Sequence, residues 1–104
     1  MVPKLVRDRV PESIIINGRI PVGMLAEPGD RGDWLRQKLH EEVDEFLKDD
    51  DPMELVDIYE VLRGLWAYYN PEADISLSQA AAIKRETLGG FYNFEILTDV
   101  REKP

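Results

Sequence analysis

A chain of 104 residues is the length of one domain and can hide roughly two-thirds of its unfolded surface in a core of its own. With 43% hydrophobic and 33% charged residues it has the composition of a globular protein, and no apolar run approaches the roughly 20 residues needed to cross a bilayer. The absence of cysteine excludes disulfides and thiolate metal sites, and a net charge of −8 opposes duplex nucleic acid, whose binding needs a basic stripe.

We expect a single domain over residues 1–104. Lys4, Arg7, Asp8 and Arg9 are followed by no apolar h-region, so no secretory signal is expected and the expected location is the cytoplasm. Pro11 suits the first turn of a short helix through Ile16, Asn17-Gly18 reads as a turn, and Ile20 to Leu25 reads as a short strand. Glu27 to Gly32 is a loop, after which Asp30 and Asp33 supply acidic capping groups for a helix from about Asp33 to Lys48. Asp49-Asp50-Asp51-Pro52 ends that helix and starts another, with an Asp as N-cap and Pro52 at the first helical position. The second helix runs to about Tyr69, where Asn70-Pro71 stops it. A third starts near Ser76 and ends at Gly89-Gly90. Phe91 to Leu97 has strand-like content and is expected to pair with Ile20 to Leu25, while Arg101 to Pro104 read as frayed. The expected fold class is mainly α: a helical hairpin plus a third helix, with a small two-stranded β element.

On a helical wheel of about 100° per residue, the apolar arc of the first long helix holds Leu35, Leu39, Val43, Phe46 and Leu47. Leu35, Leu39, Glu42 and Phe46 recur with the 4-3-4 spacing of a core seam, so a carboxylate stands where the pattern asks for a hydrophobe. Glu45 lies at the edge of the same face. Glu54, Ile58, Val61, Leu65 and Tyr68 form a second seam that also begins with a glutamate, and Asp57 flanks it. Glu60 and Arg63 fall on the polar side, where a surface pair is expected.

An ionised carboxylate in apolar surroundings costs several kcal/mol unless it is paired or binds a metal. If the helices form a hairpin about Asp49 to Pro52, Glu45 opposes Glu54 and Glu42 opposes Asp57, on rungs about 4.5 Å apart along the axis. Four carboxylates then converge with no basic residue on the facing positions between them. Lys38, one turn from Glu42, neutralises only part of the charge. Oxygen donors without thiolate, and with His40 as the only histidine, suit Mg²⁺ or Mn²⁺ and point to phosphate chemistry. The alternative is a solvated acidic helix pair in another register.

Glu41-Glu42-Val43-Asp44-Glu45 followed by Glu54-Leu55-Val56-Asp57 resembles the all-α nucleotide pyrophosphohydrolase superfamily, the MazG-like group. Its members carry Glu-Glu-two residues-Glu on one helix and Glu-two residues-Asp on the next. Lys4-Leu5-Val6-Arg7-Asp8-Arg9-Val10-Pro11-Glu12 and the late Lys84-Arg85 with Gly89-Gly90-Phe91 look like the phosphoribosyl-ATP pyrophosphohydrolase-like branch, so the resemblance spans nearly the whole chain. Two departures stand out: eight residues separate Glu45 from Glu54, which demands a tight turn, and Leu88 stands where a basic residue is expected before Gly-Gly-Phe.

The resemblance implies house-cleaning hydrolysis of a nucleoside triphosphate between its α and β phosphates, giving a monophosphate and pyrophosphate. It implies that Glu42, Glu45, Glu54 and Asp57 bind Mg²⁺, with Mn²⁺ as a substitute. Glu41 is the catalytic candidate, orienting the attacking water from behind the ligands. Lys38, Lys84 and Arg85 are the candidates for binding the phosphates of a nucleotide substrate. Lys4 and Arg7 are expected to hold the N-terminal segment against an acidic partner. Trp34, Trp66, Tyr68 and Tyr69 fit core or subunit contacts better than base stacking, and His40 reads as a helix-flank residue. Leu55, Tyr59, Leu62 and Trp66 form a second apolar stripe that three helices cannot cover, so a homodimer or higher homo-oligomer is expected, in line with the superfamily. Two other functions stay open: phosphoribosyl-ATP hydrolysis in histidine biosynthesis, and a non-catalytic helical dimer that binds a metal, a nucleotide or a protein.

Overall fold

A computed structural model describes residues 2–104. It divides into two units, one running to Asp74 and the other Ile75–Pro104.

In the first unit, Pro11 sits in the opening turn of α1 (Val10–Ile16), where its missing amide donor costs nothing. Gly18, at φ 80, ends α1 by donating its amide to Ile15 O at 2.9 Å, and Arg19 N reaches Ile14 O at 3.0 Å. This is the paired closure that a left-handed residue permits. The expected turn at Asn17-Gly18 is thus a helix stop.

A single 3-10 turn (Pro28–Asp30) leads directly into α2 (Arg31–Asp49). The helix therefore begins two residues before the expected Asp33, inside what reads as loop. Asp30 holds the N-cap position but makes no side-chain capping bond, and Asp33 lies in the first turn, where its charge meets the positive end of the helix dipole. Asp50 closes α2 in the left-handed region at φ 53, donating its amide to Phe46 O at 2.9 Å. Asp51 leads into the next helix, its Oδ1 accepting from Met53 N and its carbonyl from Glu54 N, both at 3.0 Å, but Met53 and not the expected Asp holds the N-cap position, without a side-chain cap bond. Pro52 accordingly occupies the lead-in turn, and α3 (Glu54–Tyr69) starts two residues later. Asn70 stops it, its amide and its Nδ2 both donating to Trp66 O.

α2 packs against α3. Leu35, Leu39, Val43 and Phe46 from one helix and Ile58 and Leu65 from the other are half-buried, and Val61 is the buried apolar residue at their centre. Leu47, assigned to the apolar arc from its spacing, is instead exposed. Two glycines set how closely the helices approach. A β-carbon at Gly64 would lie 3.0 Å from Leu35 Cδ2, and one at Gly32 only 2.6 Å from Tyr68 Cε2.

In the second unit, α4 (Leu77–Leu88) begins with a reciprocal cap. Ser76 Oγ accepts from Gln79 N at 3.1 Å while Ser76 N donates to Gln79 Oε1 at 2.7 Å. Gly89, at φ 78, ends it.

The expected β element is absent: among the described residues there is no strand. Ile20, Val22, Met24 and Leu25 are exposed, as are Phe91, Phe94, Ile96 and Leu97, and Phe94 breaks the extended backbone at φ 52. Aromatic and β-branched content favours a pleated surface only where a neighbouring strand completes the ladder, and neither segment has one. The fold is mainly helical. Among the described residues no helix is long and apolar enough to cross a membrane.

Candidate metal centre

The short turn at Asp50 to Met53 sets the register of the hairpin, and with it which carboxylates meet. Glu42 on α2 is buried, at 6% exposure, in the seam position that the helical period assigns to a hydrophobe. Lys38 Nζ, one turn earlier, lies 3.1 Å from Glu42 Oε1. Among the described residues, Glu42 Oε2 is buried without a hydrogen-bond partner. Oxygens of Glu42, Glu54 and Asp57 lie within 4.8 Å of one another, a spacing close to that of ligands around one small cation. Three of the four carboxylates assigned to a metal are thus brought together across the hairpin.

Glu45 stands beside this trio and is coupled to it. Its carboxyl is raised above the usual range by desolvation first, then by the charges of Glu42 and Glu41 and a hydrogen bond with Glu42. Glu54 is raised in the same direction, by desolvation and then by Glu45, Asp49, Glu42 and Asp51. Like charges gathered at one place disfavour ionisation of each, and a cation would reverse the effect.

Positive charge reaches the cluster from two directions. Lys38 lies 3.4 Å from Glu41 Oε1 as well as against Glu42. Its ammonium is held above the usual lysine value: partial desolvation works against this, but the hydrogen bond to Glu42 and the charges of Glu41 and Glu42 outweigh it. The other source is the N-terminal segment, where Lys4 Nζ meets Glu41 Oε1 at 3.2 Å and Arg7 Nη2 meets Asp57 Oδ1 at 2.7 Å. Both have the acidic partners expected of them. Glu41, desolvated yet contacted by Lys4 and Lys38, is held below the usual carboxyl range and stays ionised. Five carboxylates (Glu41, Glu42, Glu45, Glu54, Asp57) face three cations (Lys4, Arg7, Lys38), and Asp49 and Asp51 add their charges at Glu54, so negative charge is in excess at the cluster.

An open cleft of about 680 Å³ adjoins the cluster, within the range of small-molecule sites. Glu42 and Asp57 border it, and Arg7, Arg9, Arg31, Lys38 and Trp34 line it. Lys38 therefore stands on the cleft wall beside Glu42. Lys84 and Arg85 belong to the second unit, exposed on α4. Sequence reasoning missed Arg9 and Arg31 as cleft residues and gave Arg7 a tethering role only. No local pattern marks them, because the cleft joins segments far apart in the chain. Glu60 pairs with Arg63 at 2.9 Å on the hairpin's polar side, and His40 is an exposed flank residue, both as the wheel predicts.

No family model, no curated protein and no solved structure matches the chain.

Proposed function

We propose that the chain is a Mg²⁺-dependent nucleoside triphosphate pyrophosphohydrolase of the house-cleaning type, built as an all-α pyrophosphohydrolase bundle. One observation carries this: Glu42 is buried with one oxygen unpartnered among the described residues, and a carboxylate oxygen of Glu42 lies within 4.8 Å of oxygens of Glu54 and Asp57. A folded protein tolerates such an atom where a ligand completes it. The donor set is all oxygen, which fits Mg²⁺ or Mn²⁺. Glu42, Glu45, Glu54 and Asp57 would hold the ion, which supplies Lewis-acid polarisation of phosphoryl oxygens and a more acidic bound water.

The rest of the mechanism belongs to the chain. Lys38, on the cleft wall, receives a phosphate oxygen while its pairs with Glu41 and Glu42 fix its position. Glu41, kept ionised, is a positioning residue that holds Lys38 and Lys4 and orients water behind the ligands. Trp34 also lines the cleft.

Pyrophosphate release over a panel of canonical and modified triphosphates and phosphoribosyl-ATP, with and without Mg²⁺, tests the proposal. Wild type should release pyrophosphate only with the metal, and Glu45→Gln should lose at least about tenfold. No metal-dependent release from any substrate would sink it, and release from phosphoribosyl-ATP alone would move the assignment to that activity. The ion pairs with Lys4, Arg7 and Lys38 favour a second reading, a non-catalytic helical dimer, because they hold the cluster together without a metal. Unchanged function in Asp57→Asn would support that reading.

The proposal includes a homodimer. Leu55 and Tyr59 are 48% and 44% exposed on α3, Leu62 continues their stripe, and the hairpin buries little apolar surface by itself. A second copy would cover that stripe. Light scattering should give twice the chain mass at micromolar concentration, and a monomeric mass would count against the dimer.

A further inference from the structure

The contact between Arg7 and Asp57 joins the N-terminal segment to the carboxylate cluster, and nothing in the proposed hydrolysis uses it. Both side chains are about half exposed, at 52% and 43%, so the pair can open without uncovering a core. Lys38, by contrast, is 15% exposed and tied within its own helix to Glu41 and Glu42. Arg7 precedes α1 on a stretch outside any helix. Of the two cations that contact the trio among the described residues, Arg7 is the less tied.

It also has somewhere to go. Arg7 lines the cleft together with Arg9, Arg31 and Lys38, and a guanidinium matches two phosphate oxygens at once. One divalent cation bound at the trio would place two positive charges beside Asp57, the carboxylate that Arg7 now neutralises. Arg7 then faces the cation across Asp57, with repulsion replacing attraction.

We propose that Arg7 is an exchangeable counter-charge: it holds Asp57 when the carboxylates are free of metal, and a divalent cation at Glu42, Glu54 and Asp57 displaces it into the cleft, where it binds a phosphate. The exchange rests on the metal reading of this site. Metal and phosphate then reinforce each other, since each favours the released arginine.

Mn²⁺ alone, titrated into wild type and Arg7→Gln with the free ion followed by electron paramagnetic resonance, reads the first half. The variant should bind Mn²⁺ roughly fivefold more tightly, because no cation must be displaced. In wild type, amide exchange at Leu5 to Arg9 should quicken on Mn²⁺ binding. Inorganic pyrophosphate added at saturating Mn²⁺ reads the second half: Arg7→Gln should bind it roughly tenfold more weakly, with Arg7→Lys between the two. Circular dichroism on both variants checks that the helices are intact. Equal or weaker Mn²⁺ binding by Arg7→Gln, or equal pyrophosphate binding, overturns the exchange while leaving the metal site standing. Absence of Mn²⁺ binding to either protein overturns the metal site and the exchange with it.

Discussion

Glu42→Gln is expected to raise the stability of the metal-free protein and at the same time to abolish the metal binding we propose. Among the described residues the glutamate has one cationic partner, Lys38, against the carboxylates of Glu41, Glu45, Glu54 and Asp57 around it. An amide of the same shape keeps an oxygen for Lys38 and places a donor where Oε2 now has none. The repulsion that raises Glu45 is relieved as well. A gain of about 1 kcal/mol corresponds to roughly 4 to 8 °C in melting temperature for a domain of this size. Mn²⁺ affinity and Mg²⁺-dependent pyrophosphate release should each fall at least about 100-fold. Calorimetric melting and metal titration of the same preparation check both halves. A lower melting temperature would mean that the Lys38 pair outweighs the repulsion.

The same substitution has a signature in pH. Because Glu45 and Glu54 are raised from the ordinary 4.5, the folded chain keeps protons that the unfolded chain has released. Their contribution to stability is therefore lost as pH rises from the ordinary carboxyl range through the folded values. Glu41, held low, has the opposite sign and contributes stability that disappears as pH falls through its own folded value. Removing the charge of Glu42 should bring the Glu45 titration, followed by carbon NMR, back toward its ordinary value.

Gly64→Val should destabilise the hairpin strongly without touching the acidic cluster. The β-carbon alone arrives 3.0 Å from Leu35 Cδ2, and the two γ-methyls of valine must enter the same contact between α2 and α3. Overpacking of this kind costs about 1 to 3 kcal/mol, so a melting temperature lower by roughly 5 to 20 °C is expected. Gly64 and Leu35 also line the cleft, so forcing them apart should weaken ligand binding in step with stability. Gly64→Ala separates the two effects. It gains up to about 1 kcal/mol in helix propensity and demands a few tenths of an ångström from Leu35. A valine variant that melts like the wild type would show that the helices have room to spare.

The hairpin and its acids were legible in the sequence because both obey short-range rules. A 3.6-residue period locates a seam, and a glutamate inside that seam at position 42 or 54 stands out against it. Helix ends followed to within about two residues because Asp51, Asn70, Ser76 and Gly89 act on backbone groups at most four residues away. The segments 20–25 and 91–97 misled for the complementary reason: Val22 and Ile96 declare a preference for pleated backbone, but no residue declares whether a partner strand exists. Arg7 lies 50 residues from Asp57, a separation at which no periodicity or motif spacing speaks. The sequence can say that Asp57 needs a cation, and only the fold says which one arrives.

The turn between the long helices deserves a different description, as a ruler. Asp50 ends α2 in one left-handed step and Asp51 begins the approach to α3 with one side-chain bond, so few residues lie between the two acidic motifs. An added residue that extended α2 or α3 would turn the positions beyond it by about 100° and slide them about 1.5 Å, carrying Glu54 and Asp57 away from Glu42 although every carboxylate remained in the chain. The identities at the turn are negotiable wherever a left-handed residue and a cap are kept. Their number is not, and the site's chemistry is stored in that count.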